Sequence, residues 1–268
     1  MRVFDLIFNV DEVRVGTRSY GNELEMLKYG DLFIIPYSTW KGAFRRTSEV
    51  VQSLARKEKS FDSVVEKVRN VLRDPDVSKE FNEKTIFDLT NKIEDELKEV
   101  GFAEEAEGVG PIIRDKVVFD RSSREELEEA IVPIVISYLD PLNRLYGSPY
   151  FAGALVFSDS VMSNKEVKSG LVNKVSINRA TRKSEEQALF VEEVIYPRQV
   201  RVRVNMRRVP NSAIELWRST LRFSIDVGVP IGAGKSKRSW AVLNLKDSLV
   251  TEVKLTEQET LKLQKFLA

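Results

Sequence analysis

The chain has 268 residues, 42% hydrophobic and 31% charged, which suits one large soluble domain or a compact domain with a substantial insertion. No window approaches the ~18 apolar residues of a membrane span, and 42 basic against 41 acidic residues leave a net charge of +1 that says nothing by itself about nucleic acid. With neither cysteine nor histidine, disulfides, thiolate or imidazole metal sites and Ser-His-Asp or Cys-His catalysis are excluded, so any chemistry rests on carboxylates, Lys, Tyr or an oxygen-bound cation such as Mg²⁺.

In chain order, residues 3–15 read as a strand, with Phe4, Leu6, Phe8 and Val10 alternating with Asp5, Ile7 and Asn9. Asp5 inside the run, and no small-residue cleavage site, make this a strand and not a signal peptide, which points to the cytoplasm. A polar loop from Gly16 to Gly30 follows, then the apolar run Leu32 to Pro36, with Ser38 placed as N-cap of a helix through Lys41, Phe44 and Arg45.

From 56 to 130 the composition turns to Glu and Lys at helical spacing, as in Val64, Val65, Val68, Leu72 and Ile86, Leu89, Ile93, Leu97. We read this as a helical insertion into a core formed by 1–55 and 131–268, its charges lying on solvated faces. Residues 170–196 carry a basic segment between two strand-like runs, which suggests a protruding hairpin. Residues 200–207 alternate, Val200, Val202, Val204 and Met206 against Arg201, Arg203, Asn205 and Arg207, so one face buries and the other is basic. After Pro210, Ser212 and Glu215 form a capping-box pattern. A helix through Trp217 and Leu221 competes with alternation at Leu221, Phe223, Ile225 and Val227, and the stop signals Gly228 and Pro230 favour the helix. Strands at Trp240 to Leu245 and Val250 to Leu255 and a short C-terminal helix complete the chain.

Gly234-Lys235-Ser236 invites a P-loop reading, the alternative being a nucleotide-binding hydrolase. The spacing fails, because the position that should be the first glycine is Val229, and the expected context is helix then strand where a P-loop needs strand then helix. Flexible backbone at Gly228, Gly232 and Gly234 beside Lys235, Lys237 and Arg238 suits a polyanion approached closely by main chain and neutralised by side chains. A plain tight turn with solvated lysines accounts for such a loop about as well.

Five segments then resemble the RAMP superfamily, and within it the backbone (Cas-seven-like) subunits of type III CRISPR effector complexes. Ile34-Ile35-Pro36-Tyr37-Ser38-Thr39-Trp40-Lys41-Gly42-Ala43-Phe44-Arg45 is similar to that family's strand-to-helix segment. Leu145-Tyr146-Gly147-Ser148 and Phe151 to Asp159 resemble its turn and the strand after it, Ile177 to Arg182 with Ala188 to Val194 its hairpin, and Gly232 to Arg238 its glycine-rich signature.

The resemblance implies an α+β, modified ferredoxin-like fold related to RNA-recognition motifs, with copies or relatives stacked along a guide RNA. It implies RNA contacts at Ser38, Lys41, Arg45, Gly232, Gly234, Lys235, Lys237 and Arg238, and a thumb-like hairpin bringing Arg179 and Arg182 against the guide–target duplex. Expected partners are crRNA, target RNA, other effector subunits and further copies of the chain. Some relatives are metal-dependent endoribonucleases with a loop aspartate between the first strand and the helix segment. Here that loop holds Glu23 and Glu25 but no aspartate, so Asp31 or Glu23 is the candidate, with Mg²⁺ if the protein cleaves. A superfamily nuclease trimming precursor guide RNA is a third reading, although such enzymes often use histidine. The Glu, Lys and Arg content leans towards a thermophile.

Overall fold

The computed structural model describes residues 1–18, 23–55, 61–74, 82–119, 123–177, 184–232, 239–253 and 258–267. Its first strand, β1 (Arg2–Val10), buries Phe4, Leu6, Phe8 and Val10 and turns Asp5, Ile7 and Asn9 to the other face, as the alternation predicts. The strand stops at Val10 and does not run on to residue 15: Val13 leaves the ladder and makes a lone antiparallel bridge to Ile195.

The segment expected as a polar loop holds three short strands, β2 (Gly16–Arg18), β3 (Glu23–Met26) and β4 (Lys28–Tyr29), ahead of β5 (Leu32–Ile35). Gly16 is needed there, since an added Cβ would lie 1.8 Å from the Glu25 carbonyl oxygen. The helix α1 (Tyr37–Leu54) follows, so Ser38 lies inside its first turn and is not the N-cap. The amides of Thr39 and Trp40 donate to the Pro36 carbonyl (3.0 and 3.3 Å), and that of Tyr37 donates to the Asp159 carboxylate (2.6 Å).

Five helices come next: α2 (Asp62–Arg73), α3 (Glu83–Leu97), α4 (Val109–Lys116), α5 (Arg124–Leu139) and α6 (Pro141–Tyr146), with a kink after α3 where Val100 and Gly101 leave helical geometry. Asn82 with Thr85, and Ser123 with Glu126, form capping boxes that satisfy the first amides of α3 and α5. Helix α4 is capped from outside: Glu94 accepts from the Gly110 amide at 2.8 Å, and a Cβ on Gly110 would meet that carboxylate oxygen at 2.9 Å. Helices α2 to α5 share one apolar cluster that includes Val68, Leu89, Ile93, Leu97, Ile113, Ile131 and Val135.

The rest of the chain is mostly strand: β6 (Leu155–Phe157), β7 (Ser160–Ser163), β8 (Lys168–Ile177), β9 (Ser184–Tyr196) and β10 (Arg198–Met206), then α7 (Asn211–Asp226), β11 (Val229–Pro230), β12 (Trp240–Leu243), β13 (Leu249–Val253), β14 (Gln258–Lys262) and α8 (Leu263–Leu267). Helix α7 settles the competition at 221–227 in favour of the helical period, and Gly228, at φ +96°, ends it. Ser212 sits in its first turn, where the Pro210 carbonyl takes the amides of Ala213 and Ile214, so the expected capping box does not form. Strand β12 ends at Leu243, short of the expected Leu245, while the expected end of the second strand lies outside the described residues; β12 and β13 share one position in the sheet, Leu243 pairing with Phe8 and Val250 with Phe4. The turn between them is stitched to β1 where the Ile7 amide donates to the Ser248 hydroxyl (3.0 Å).

In the main sheet the fourth-position strands β12 and β13 lie beside β1, β1 beside β10, and β10 beside β6, all antiparallel. With α1 between β1 and β6 and α7 between β10 and β12, this is the βαββαβ order 4-1-3-2 of a ferredoxin-like fold, modified by insertions. Two smaller sheets, β2-β3-β9-β8 and β4-β5-β7, arise from those insertions. The chain divides into two compact units, one of residues 1–48, 155–207 and 218–268, the other of 49–154 and 208–217. No helix among the described residues is long and apolar enough to cross a membrane.

Within the first unit, Phe8 meets Trp40 and Phe44 at centroid distances of 5.2 and 5.9 Å, and Phe44 meets Phe157 at 5.4 Å. The Trp40 indole N–H donates to the Ser160 hydroxyl (2.9 Å), and the buried hydroxyls of Ser48 and Thr220 share a hydrogen bond (2.8 Å) between α1 and α7. Phe266 of α8 packs edge-on to Phe4 (5.2 Å) under the guanidinium groups of Arg2 and Arg218.

On the opposite face of the sheet, Arg201 forks onto Asp5 through Nε and Nη2, and Arg203 lies 3.8 Å from the same carboxylate. The Arg201 hydrogen bonds hold the Asp5 carboxyl below its ordinary range. A carboxyl lowered by folding stabilises the fold above the ordinary range, about pH 4, and loses that contribution as pH falls through its folded value. Urea melts of wild type and Asp5→Asn should therefore differ most near neutrality and converge towards pH ~2; a gap constant with pH would contradict this origin.

Candidate nucleic-acid interface

Helix α1 gathers three of the residues expected to touch RNA. Ser38, Lys41 and Arg45 stand at i, i+3 and i+7, with Gly42 at i+4, so the four form one stripe. Trp40, Ala43, Phe44 and Thr47 face the core, which turns the stripe outward, with Ser38 and Gly42 exposed and Lys41 and Arg45 partly buried. Gly42 is the informative member. Among the described residues, a Cβ placed on it would meet nothing within 4 Å, so neither their packing nor backbone strain calls for glycine. Glycine in a helix interior costs about 1 kcal/mol relative to alanine.

The start of α1 is already partly satisfied. Asp159, in the loop after β6, places its carboxylate on the Tyr37 amide, so negative charge is present at the helix dipole before any ligand arrives. An incoming phosphate is then better served along the flank of the helix by Lys41 and Arg45.

The glycine-rich loop opens from β11 and returns as β12, its base closed where the Ile231 amide donates to the Ser239 carbonyl (3.0 Å). Helix, strand, loop, strand is the observed order, and a strand follows the Gly-Lys-Ser run. Gly228 ends α7, and Gly232, at φ +80°, crosses the 13–15 segment so closely that a Cβ would lie 2.1 Å from the Arg14 carbonyl oxygen. Both glycines thus have structural reasons of their own. Gly234, Lys235, Lys237 and Arg238 lie outside the described residues, as do Arg179 and Arg182 between β8 and β9.

Asp31 occupies the turn between β4 and β5 behind Gly30 (φ +56°). Its carbonyl accepts from the Asn164 amide (3.0 Å) and its exposed carboxylate from the Asn164 side chain (3.3 Å). It borders a polar cleft of about 390 Å³ lined also by Lys28, Asn164 and Ser169. Glu23 lies on β3, paired with β2 and with β9, and not in a loop. No group of three or more acidic side chains that could hold a metal forms among the described residues. Asp31 is a single carboxylate with one oxygen engaged, so a Mg²⁺ ion here would fit only as a hydrated ion shared with a substrate phosphate.

Sequence reasoning assigned no role to Arg14, Lys28, Glu192 or Glu193. The two glutamates follow one another on β9 and so point to opposite sides of it. Glu192, 4% exposed, is ion-paired with Arg14. Glu193 accepts from Lys28 (2.8 Å) and from the Met26 amide (3.1 Å). The available signal was two adjacent carboxylates within the apolar run Phe190 to Ile195, since a buried carboxylate needs a cationic partner. Arg201 and Arg203, on the basic face of the 200–207 alternation, share Asp5.

Charge separates along the chain. Residues 56–130 carry 14 basic against 21 acidic side chains, and the remainder 28 against 20. The candidate residues all lie in the basic part.

The family model of the RAMP superfamily matches residues 13–238. This chain belongs to the RAMP superfamily. Among solved structures it is similar to one titled "CRISPR RNA-guided surveillance complex, pre-nicking", at 11% identity and a TM-score of 0.47, over 95% of this chain and 76% of that one. No curated protein sequence matches.

Because Asp159 caps α1 through a single amide, Asp159→Ala should cost about 1 kcal/mol of stability and Asp159→Asn much less, measured by denaturant unfolding.

Proposed function

We propose that this RAMP protein is a guide-RNA-binding backbone subunit of a type III CRISPR effector complex, with crRNA and target RNA, other effector subunits and further copies of itself as partners. The observation that carries this reading is the α1 stripe: two cations and a serine flank an exposed glycine that the chain's own packing does not require. A mid-helix glycine with open space above it lets a ligand backbone come within contact of the helix main chain. Lys41 and Arg45 on either side would neutralise phosphates without reading bases, as binding a guide of any sequence demands. The separated charge supports the same choice of surface, with RNA on the basic ferredoxin-like part and not on the acidic helices.

Binding of the purified chain to single-stranded RNA, followed over a range of salt concentrations, tests this. Lys41→Ala should weaken binding to all sequences alike and reduce the salt slope by about 0.7. Gly42→Leu should weaken it at least tenfold while stabilising the helix by several tenths of a kcal/mol or more. Wild-type affinity in a folded Gly42→Leu would remove the stripe from the interface.

Target cleavage is the second part of the proposal, with Asp31 as the residue beside the scissile phosphate. A Mg²⁺ ion shared between that phosphate and Asp31 would supply charge neutralisation and an activated water. Asp31 would orient it, and Lys28 and Asn164 line the cleft the phosphate would enter. Complexes assembled with Asp31→Ala should bind target RNA and fail to cut it; equal cleavage would take Asp31 out of the reaction.

A further inference from the structure

We infer that Arg14 and Glu192 are positioning residues that hold Gly232, at the base of the glycine-rich loop, and β9, at the root of the β8–β9 hairpin, in fixed relation, so that RNA engaged from one base is presented to the other. The inference rests on the RNA-binding proposal for those two elements and adds a pair that touches no RNA itself.

The geometry converges on the 13–15 segment. On one side Val13 exchanges both backbone hydrogen bonds with Ile195 of β9 (2.9 and 3.0 Å). One residue later the Arg14 guanidinium pairs with Glu192 of the same strand, with side-chain exposures of only 14% and 6%. On the other side the Arg14 carbonyl lies where a Cβ of Gly232 would be, 2.1 Å away, so the first residue of the loop rests on Arg14 without room for any side chain. Val15 then carries the connection onward: its carbonyl accepts from the Leu27 amide (2.7 Å) and its amide lies 3.2 Å from the Met26 sulfur. A buried ion pair locks the side chain of a residue whose backbone seats the loop. Movement of the hairpin root is therefore transmitted to Gly232 through one residue.

A buried pair of this kind is a costly way to gain stability alone, since apolar residues of similar volume commonly do as well. It does, however, define one geometry where apolar contacts would permit several.

The test uses the sign of an electrostatic effect. Removing a negative charge near a polyanion site should raise affinity if charge alone matters. Positioning predicts the reverse. Glu192→Gln in the full chain should lower affinity for single-stranded RNA at least tenfold with the salt slope unchanged, because no phosphate contact is lost. Arg14→Lys, which keeps the charge but not the guanidinium, should behave likewise. Amide exchange at Ile231, which reports on the base of the loop, should speed up in both variants while amides of β10 stay protected. Should Glu192→Gln not fold, Glu192→Asp, which shortens the reach without removing the charge, takes its place under the same readouts. Unchanged or raised affinity, or unchanged exchange at Ile231, in a folded variant overturns the inference. Wild type that binds no RNA would instead overturn the proposed function, and the exchange measurement would still decide whether loop and hairpin are coupled.

Discussion

The pairing of β1 with β10 is the constraint on which the rest of the first unit is built. Nine residues of each strand face one another in a register that sets Phe4, Leu6 and Phe8 opposite Val204, Val202 and Val200. The side-chain period of a strand is two, so a slip of β10 by one residue would turn Arg201 and Arg203 into the core and bring Val200, Val202 and Val204 out. The fork from Arg201 to Asp5 on the other face matches the same register from outside. Once this pair is set, β6 has an edge of β10 to add to, β12 and β13 have the opposite edge of β1, and α1 has a face against which Trp40 and Phe44 can pack.

What was legible in the sequence is what short-range periodicity encodes. Strands β1 and β10 and the helical character of 56–130 follow from spacing, and α7 from its stop at Gly228. The ferredoxin-like fold followed from the family resemblance, and the strand order bears it out. Strands β2, β3 and β4 were not legible, because polar residues such as Glu23 and Glu25 form strands there only through partners elsewhere in the chain, including β9. Ser38 looked like a cap because it is the right residue type in nearly the right place. The structure uses Asp159, 122 residues from the Tyr37 whose amide it caps, which no local pattern could indicate.

The candidate site divides in the same way. The stripe Ser38, Lys41 and Arg45 could be read from helical spacing, whereas the pairing of Arg14 with Glu192 joins residues whose proximity only the fold creates. The helical unit makes the complementary point. Its caps at Asn82 and Ser123 are local and readable, but the capping of α4 by Glu94 spans two helices and explains why Gly110 has no side chain.

The notch at Gly42 has a consequence for anyone who redesigns this protein. Within the chain alone, helix propensity favours alanine over glycine there, and neither packing nor backbone strain opposes it. Selection for thermal tolerance alone would fill the position, whereas the function proposed for the α1 stripe requires it to stay empty. Under that proposal the two pressures part company at this one residue.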